Sequence, residues 1–176
     1  TLTLQEITGL GTAAVTVESG AKLELSETGT FVNKLSGQGT VQVSSGSNVI
    51  LGSTANSGFS GLFDIVSNAV MTVSGSVADK LGSALLNVDG NLNITQEEGF
   101  TLSNTLSGNG TVTASAGDSQ GAFAFKSPNT LEDTDKFAGT LVLDNMTLAL
   151  GGDADSAGSY NASHLVNSTV SLTNTS

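Results

Sequence analysis

One short peptide recurs in this chain and limits what it can fold into. Leu35-Ser36-Gly37-Gln38-Gly39-Thr40-Val41 returns as Leu106-Ser107-Gly108-Asn109-Gly110-Thr111-Val112. An abbreviated form, Phe-small-Gly followed by alternating apolar residues, stands at Phe59-Ser60-Gly61 and Phe137-Ala138-Gly139. Repetition at a few tens of residues marks a solenoid, because each unit is too small to bury its apolar face except against a neighbouring copy. A solenoid works through its long sides and extruded loops. The repeat therefore predicts a binding or structural protein rather than an enzyme.

The period of the apolar residues says what each unit is made of. Val15 and Val17, Leu23 and Leu25, Val41 and Val43, and Leu92 and Ile94 all alternate with polar neighbours. Alternation at period two places one set of side chains inward and the other outward. Gly, Ser and Asn punctuate these short strands, which is corner chemistry. Weaker strands are expected at Thr30-Phe31-Val32, Phe100-Thr101-Leu102 and Phe123-Ala124-Phe125. Three strands and three corners make a turn of about 24 residues, the interval from Leu35 to Phe59. The interval from Leu35 to Leu106 then reads as about three such turns. Coiling this unit stacks each strand on its successor in parallel, which is a parallel β-helix of roughly seven rungs. A β-sandwich also uses many short strands, but it has no reason to repeat one peptide at an interval. Disorder is set aside on the same alternation, except at the last few residues.

The whole chain, 1–176, reads as one β-helical unit with two excursions. One lies near 116–136, with the only proline (Pro128) and the acidic run Glu132, Asp133 and Asp135. The other lies near 153–162, again rich in Gly and Asp. Insertions in a solenoid leave the rod as loops, and the first is the candidate contact loop. Its acids Glu132, Asp133 and Asp135, with Lys126 and Lys136 as complementary charge, are the candidate binding residues for self-association.

Charge narrows the partners. Sixteen acids stand against five basic residues, all lysine, for a net charge of −11. Nucleic acid is a poor partner, since phosphate binding needs clustered cations. The absence of arginine removes the bidentate carboxylate and phosphate clamp. Zero cysteine excludes a disulfide framework and a thiolate metal site. No run approaches the ~20 apolar residues of a membrane helix. No basic n-region with an apolar run opens the chain, so no signal peptide is expected there, and the chain reads as a fragment of something longer.

The Leu-Ser-Gly-x-Gly-Thr-Val peptide, the strand–corner–strand rhythm, the Ser/Thr/Asn/Gly bias and the lack of cysteine resemble autotransporter passenger domains, in particular self-associating adhesins of the AIDA type from Gram-negative bacteria. The resemblance covers nearly the whole chain. It implies a right-handed β-helix displayed outside the outer membrane, anchored through a C-terminal barrel not present in this sequence. It also implies bacterial aggregation, biofilm growth and adhesion. The expected partner is another copy of the chain, with a host matrix protein or glycan as the alternative; neither cofactor nor metal is expected.

Several motifs point elsewhere. Gly117-Asp118-Ser119-Gln120-Gly121 looks like a serine-protease nucleophile loop, but a serine nucleophile needs a base and an orienting group, and the only histidine is the distant His164. Asp153-Ala154-Asp155 is a scrap of a calcium loop, whereas calcium wants six to eight oxygens. Glu97-Glu98 and Glu132-Asp133 are adjacent pairs that a strand would send to opposite faces. A glycan-cleaving β-helix would hold two carboxylates across a groove, usually with aromatic platforms, and this chain has no Trp and one Tyr (Tyr160). No catalytic residue is assigned. The six Asn-x-Ser/Thr sites, at Asn93, Asn109, Asn145, Asn161, Asn167 and Asn174, are expected by chance in so Ser- and Thr-rich a chain.

Overall fold

The alternation resolves into coils. A computed structural model describes residues 1–53, 55–125, 137–148 and 169–173. In them the chain winds as a right-handed parallel β-helix of about six turns. A six-stranded sheet stacks Leu2–Leu4, Lys22–Leu25, Thr40–Val43, Leu62–Ile65, Leu85–Val88 and Leu106–Ser107. A seven-stranded sheet stacks Gly29–Phe31, Asn48–Leu51, Val70–Ser74, Asn91–Thr95, Thr111–Ser115, Thr140–Asp144 and Thr169–Thr173. Two three-stranded sheets complete the coil. One takes Val15–Val17, Leu35–Gly37 and Gly58–Phe59; the other takes Gly99–Leu102, Gly121–Phe125 and Met146–Leu148. The weaker strands expected around Phe31, Phe100 and Phe123 are all present.

The core is the inward half of the alternation. Leu23, Val41, Phe63, Leu86 and Leu106 form one register column, and Val49, Met71, Leu92, Val112 and Leu141 form another. All ten are buried. Each such side chain removed from water contributes about 1.5–3 kcal/mol. Phe100 stacks on Phe123 from the next turn at 5.2 Å, edge to face, a geometry that adds to the burial of either ring alone.

The recurring peptide proves to be a corner device. Leu35-Ser36-Gly37 lies in a three-stranded sheet upon Val15–Val17, whereas Leu106-Ser107-Gly108 continues the six-stranded sheet upon Leu86 and Asn87. The two copies thus occupy different faces and do not stand a whole number of turns apart, contrary to the three-turn reading. What they share is local. Gly37 and Gly108 have φ of 98° and 99°, and each presses on a valine carbonyl of the preceding turn, Val17 or Val88. In the second copy the next glycine, Gly110, lies under still tighter contact. A Cβ on Gly110 would overlap the Gly90 carbonyl, and one on Gly139 would overlap that of Gly110. Glycine there lets successive corners nest.

Two features were not anticipated. A five-residue helix, Val77–Leu81, stands in place of a strand between Val70–Ser74 and Leu85–Val88, its Val77 N–H held by the Gln96 side chain of the next turn at 3.0 Å. Its Lys80 is buried and donates to the Leu51 carbonyl at 3.0 Å. The second is a set of buried asparagines just ahead of strands. Asn33 donates to the Gly11 and Ala13 carbonyls, and Asn104 donates to those of Gly82 and Ala84. Asn56 accepts from Leu35 N–H at 2.8 Å and donates to the Lys80 carbonyl at 2.9 Å. Each amide ties its own coil to the one before it, and Asn56 also to the one after, pairing backbone groups that burial would otherwise orphan.

Candidate functional site: the outer faces of the coil

A stacked coil turns each outward strand position into a column running along the axis. The columns of the two large sheets differ in chemistry. On the six-stranded sheet, Thr3, Glu24, Gln42, Asp64, Asn87 and Ser107 stand in register. Their side chains are bonded to one another or to the adjoining column. Thr3 Oγ1 donates to Glu24 at 3.0 Å and Ser44 Oγ to its other oxygen at 3.0 Å. Lys22 Nζ donates to Gln42 Oε1 at 2.6 Å, and Gln42 Nε2 to Asp64 at 2.6 Å. Asn87 Nδ2 donates to Asp64 at 2.9 Å, and Ser107 Oγ donates to Asn87 Oδ1 at 3.3 Å. The hydrogen bonds from Thr3 and Ser44, with the Lys22 charge, hold the Glu24 carboxyl below the usual carboxylate value. This face satisfies its own polar groups and interleaves its charges.

The seven-stranded sheet presents the opposite. Its central outward column is Thr30, Ile50, Thr72, Asn93, Thr113, Val142 and Ser171. Val70, Asn91, Thr111 and Thr140 form the column beside it. Among the described residues, Thr72, Asn93 and Thr113 make no side-chain hydrogen bond, and Asp144 is the one charged residue at an outward position of this sheet. Ile50 is 43% exposed. β-Branched residues dominate, which suits a flat pleated face.

An open groove of about 330 Å³ runs along a corner, lined by Glu98, Gln120, Gly121, Ala122, Asn145, Met146 and Thr147. Asn145 sits in the left-handed region (φ 54°) and donates to the Gly117 and Ser119 carbonyls at 3.1 and 2.9 Å. The Gly117–Gly121 segment is thereby a corner braced by its neighbour. Its supposed base, His164, lies outside the described residues. So do the candidate contact residues Lys126, Glu132, Asp133, Asp135 and Lys136, and Asp153, Asp155 and Tyr160. Glu97 and Glu98 are exposed at a turn, Glu98 with φ 63°. Among the described residues no group of three His, Cys, Asp or Glu side chains is placed to hold a metal ion, and no helix is long and apolar enough to cross a membrane.

Sequence reasoning expected outward polar ladders but did not choose a face. The same Leu-Ser-Gly-x-Gly corner leads into Thr40–Val43 of the six-stranded sheet and Thr111–Ser115 of the seven-stranded one, so the face is settled only by the register.

No protein-family profile and no solved structure matches the chain. An uncharacterized protein of Escherichia coli K12, YuaQ, is similar: 29% identical over 127 residues, which is 72% of this chain and 9% of that protein. The chain thus spans less than a tenth of the length of this curated relative.

Proposed function

We propose that this chain is a segment of a bacterial cell-surface adhesin that mediates cell aggregation and biofilm formation by pairing side to side with another copy of itself, without catalysis. The observation that carries this reading is the pair of long outer faces, each of which presents an in-register column of side chains, one per turn. Neighbouring strands lie ~4.8 Å apart, so a partner of the same repeat meets matching groups coil by coil. Each exposed polar contact is worth only ~0–1 kcal/mol, but a rod makes many at once and many rods per cell multiply the effect. The resemblance to autotransporter passengers supports display outside the outer membrane, and the similarity to a short part of a much longer bacterial protein fits a rod assembled from many such segments.

The test is display of the chain on cells or beads. Clumping that requires the chain on both partners supports the reading. Clumping that needs the chain on one partner only, or none at any density, overturns it. A second reading, adhesion to a glycan, draws on the groove at Glu98, Gln120 and Asn145. It expects binding on a glycan array that Asn145→Ala abolishes while clumping is unaffected.

A further inference from the structure

We infer that the outer face of the seven-stranded sheet, centred on Ile50, Thr72, Asn93 and Thr113, is the surface through which two copies of the chain meet. This rests on the self-association reading and adds the face to it. Three observations converge on a second copy as the occupant.

The first is charge. Each copy carries −11, so two copies approach most easily where neither presents charge, and repulsion between the remaining surfaces falls with screening. The central outward column of this sheet is uncharged over seven strands. The six-stranded face carries Lys22, Glu24 and Asp64 instead.

The second is hydrogen-bonding capacity. On the six-stranded face the groups are already bonded to one another, so a partner would have to break those bonds to gain its own. Thr72, Asn93 and Thr113 hold their donors and acceptors uncommitted by any other side chain among the described residues. Ile50, 43% exposed, and the half-buried Val142 lie in the same column. Apolar groups between free polar ones are what a modest interface uses.

The third is size. Six gaps of ~4.8 Å by two or three outward positions ~7 Å apart give roughly 200–400 Å² per copy. A standard stable complex buries ~800 Å² per partner. A face this small does not hold a soluble partner tightly alone. It gains strength when the same face continues along a longer rod and when many rods stand on one surface. That is the economy of a homotypic contact.

The experiment compares two double variants with the same added charge, using the chain itself as the probe. Thr72→Glu/Thr113→Glu charges the proposed face, and Thr101→Glu/Ser103→Glu charges exposed positions in and just after a strand of a three-stranded sheet, away from the groove. Circular dichroism and the melting transition confirm that both fold. Bead clumping and sedimentation are then read from 0.1 to 1 M salt. The expected result is at least a tenfold loss of association for the first variant and less than twofold for the second, with wild-type association holding or strengthening as salt rises. Because the chain has no cysteine, Thr72→Cys and Thr101→Cys provide an independent readout with a bis-maleimide, and Thr72→Cys alone should link copies. Equal losses in the two Glu variants, linking at Thr101→Cys instead, or weakening in high salt would overturn the face assignment while self-association stands. A wild-type chain that clumps at no bead density would overturn the self-association reading itself.

Discussion

Single residues govern this coil where the backbone leaves the ladder. Asn56 is the clearest case, since one buried amide serves an N–H in the turn before it and a carbonyl in the helix segment after it. Removing it orphans both groups, at about 1–3 kcal/mol each. Asn56→Ala is expected to cost about 3 kcal/mol and to lower Tm by roughly 6–12 °C, read by calorimetry. The exposed Asn91→Ala, which removes no side-chain hydrogen bond, should leave Tm nearly unchanged. Glu24 offers a pH test. Its folded-state pKa lies below the ordinary value of 4.5 because Thr3 and Ser44 donate to it and Lys22 is near. A depressed carboxyl contributes stability that is present above its unfolded pKa and is lost as pH falls through its folded pKa. The wild type should therefore lose more of its Tm between pH 6 and pH 3 than Glu24→Gln does. Parallel Tm curves for the two proteins across that range would refute the assignment.

At the level of strands and corners, much was legible before coordinates. The outward–inward alternation of Lys22–Leu25, Thr40–Val43 and Asn91–Thr95 is written in the residues, and burial follows it position by position. The corner glycines were legible too, since Gly37, Gly61, Gly108 and Gly139 all meet backbone of the preceding turn. What the repeat could not reveal was which sheet each copy would join. A corner peptide reports the local bend and the contact beneath it, and the same bend serves more than one corner. The asparagines were readable in hindsight, because Asn33 and Asn104 each stand two residues before a Leu-Ser-Gly. They were missed because asparagine in such a chain is first taken as turn chemistry. The helix Val77–Leu81 escaped because five residues show no helical period, and a helix this short is marginal without tertiary support. That support is Gln96, whose side chain caps Val77 N–H from the turn above while its amide donates to the Gly99 carbonyl. Gln96→Ala removes the cap and is expected to cost about 1 kcal/mol. Its signature is faster amide exchange confined to the helix and the adjoining corner, and uniformly faster exchange along the rod would contradict it.

The whole molecule behaves as a stack, and this sets how it should come apart. Among the described residues each strand pairs only with the coil before or after it, so stability is close to a sum of coil terms and nearest-neighbour interfaces. A middle coil such as the one holding Val70–Ser74 is paired on both sides, with Asn48–Leu51 and with Asn91–Thr95. Leu2–Leu4 is paired within the described residues on one side only, with Lys22–Leu25, and Leu2 is 51% exposed. In the isolated 176-residue chain a strand with one neighbour holds about half the interface energy, so local opening there is cheap. Amide exchange should accordingly be graded along the axis. Leu2–Leu4 is expected to exchange at least tenfold faster than Val70–Ser74, with intermediate rates in Lys22–Leu25. A compact two-layer protein would instead lose its core strands together at one global rate. Mass spectrometry of exchange at several denaturant concentrations separates the two. If Leu2–Leu4 and Val70–Ser74 share one rate under every condition, the chain unfolds as a block, and the additive picture of coil-by-coil stability fails.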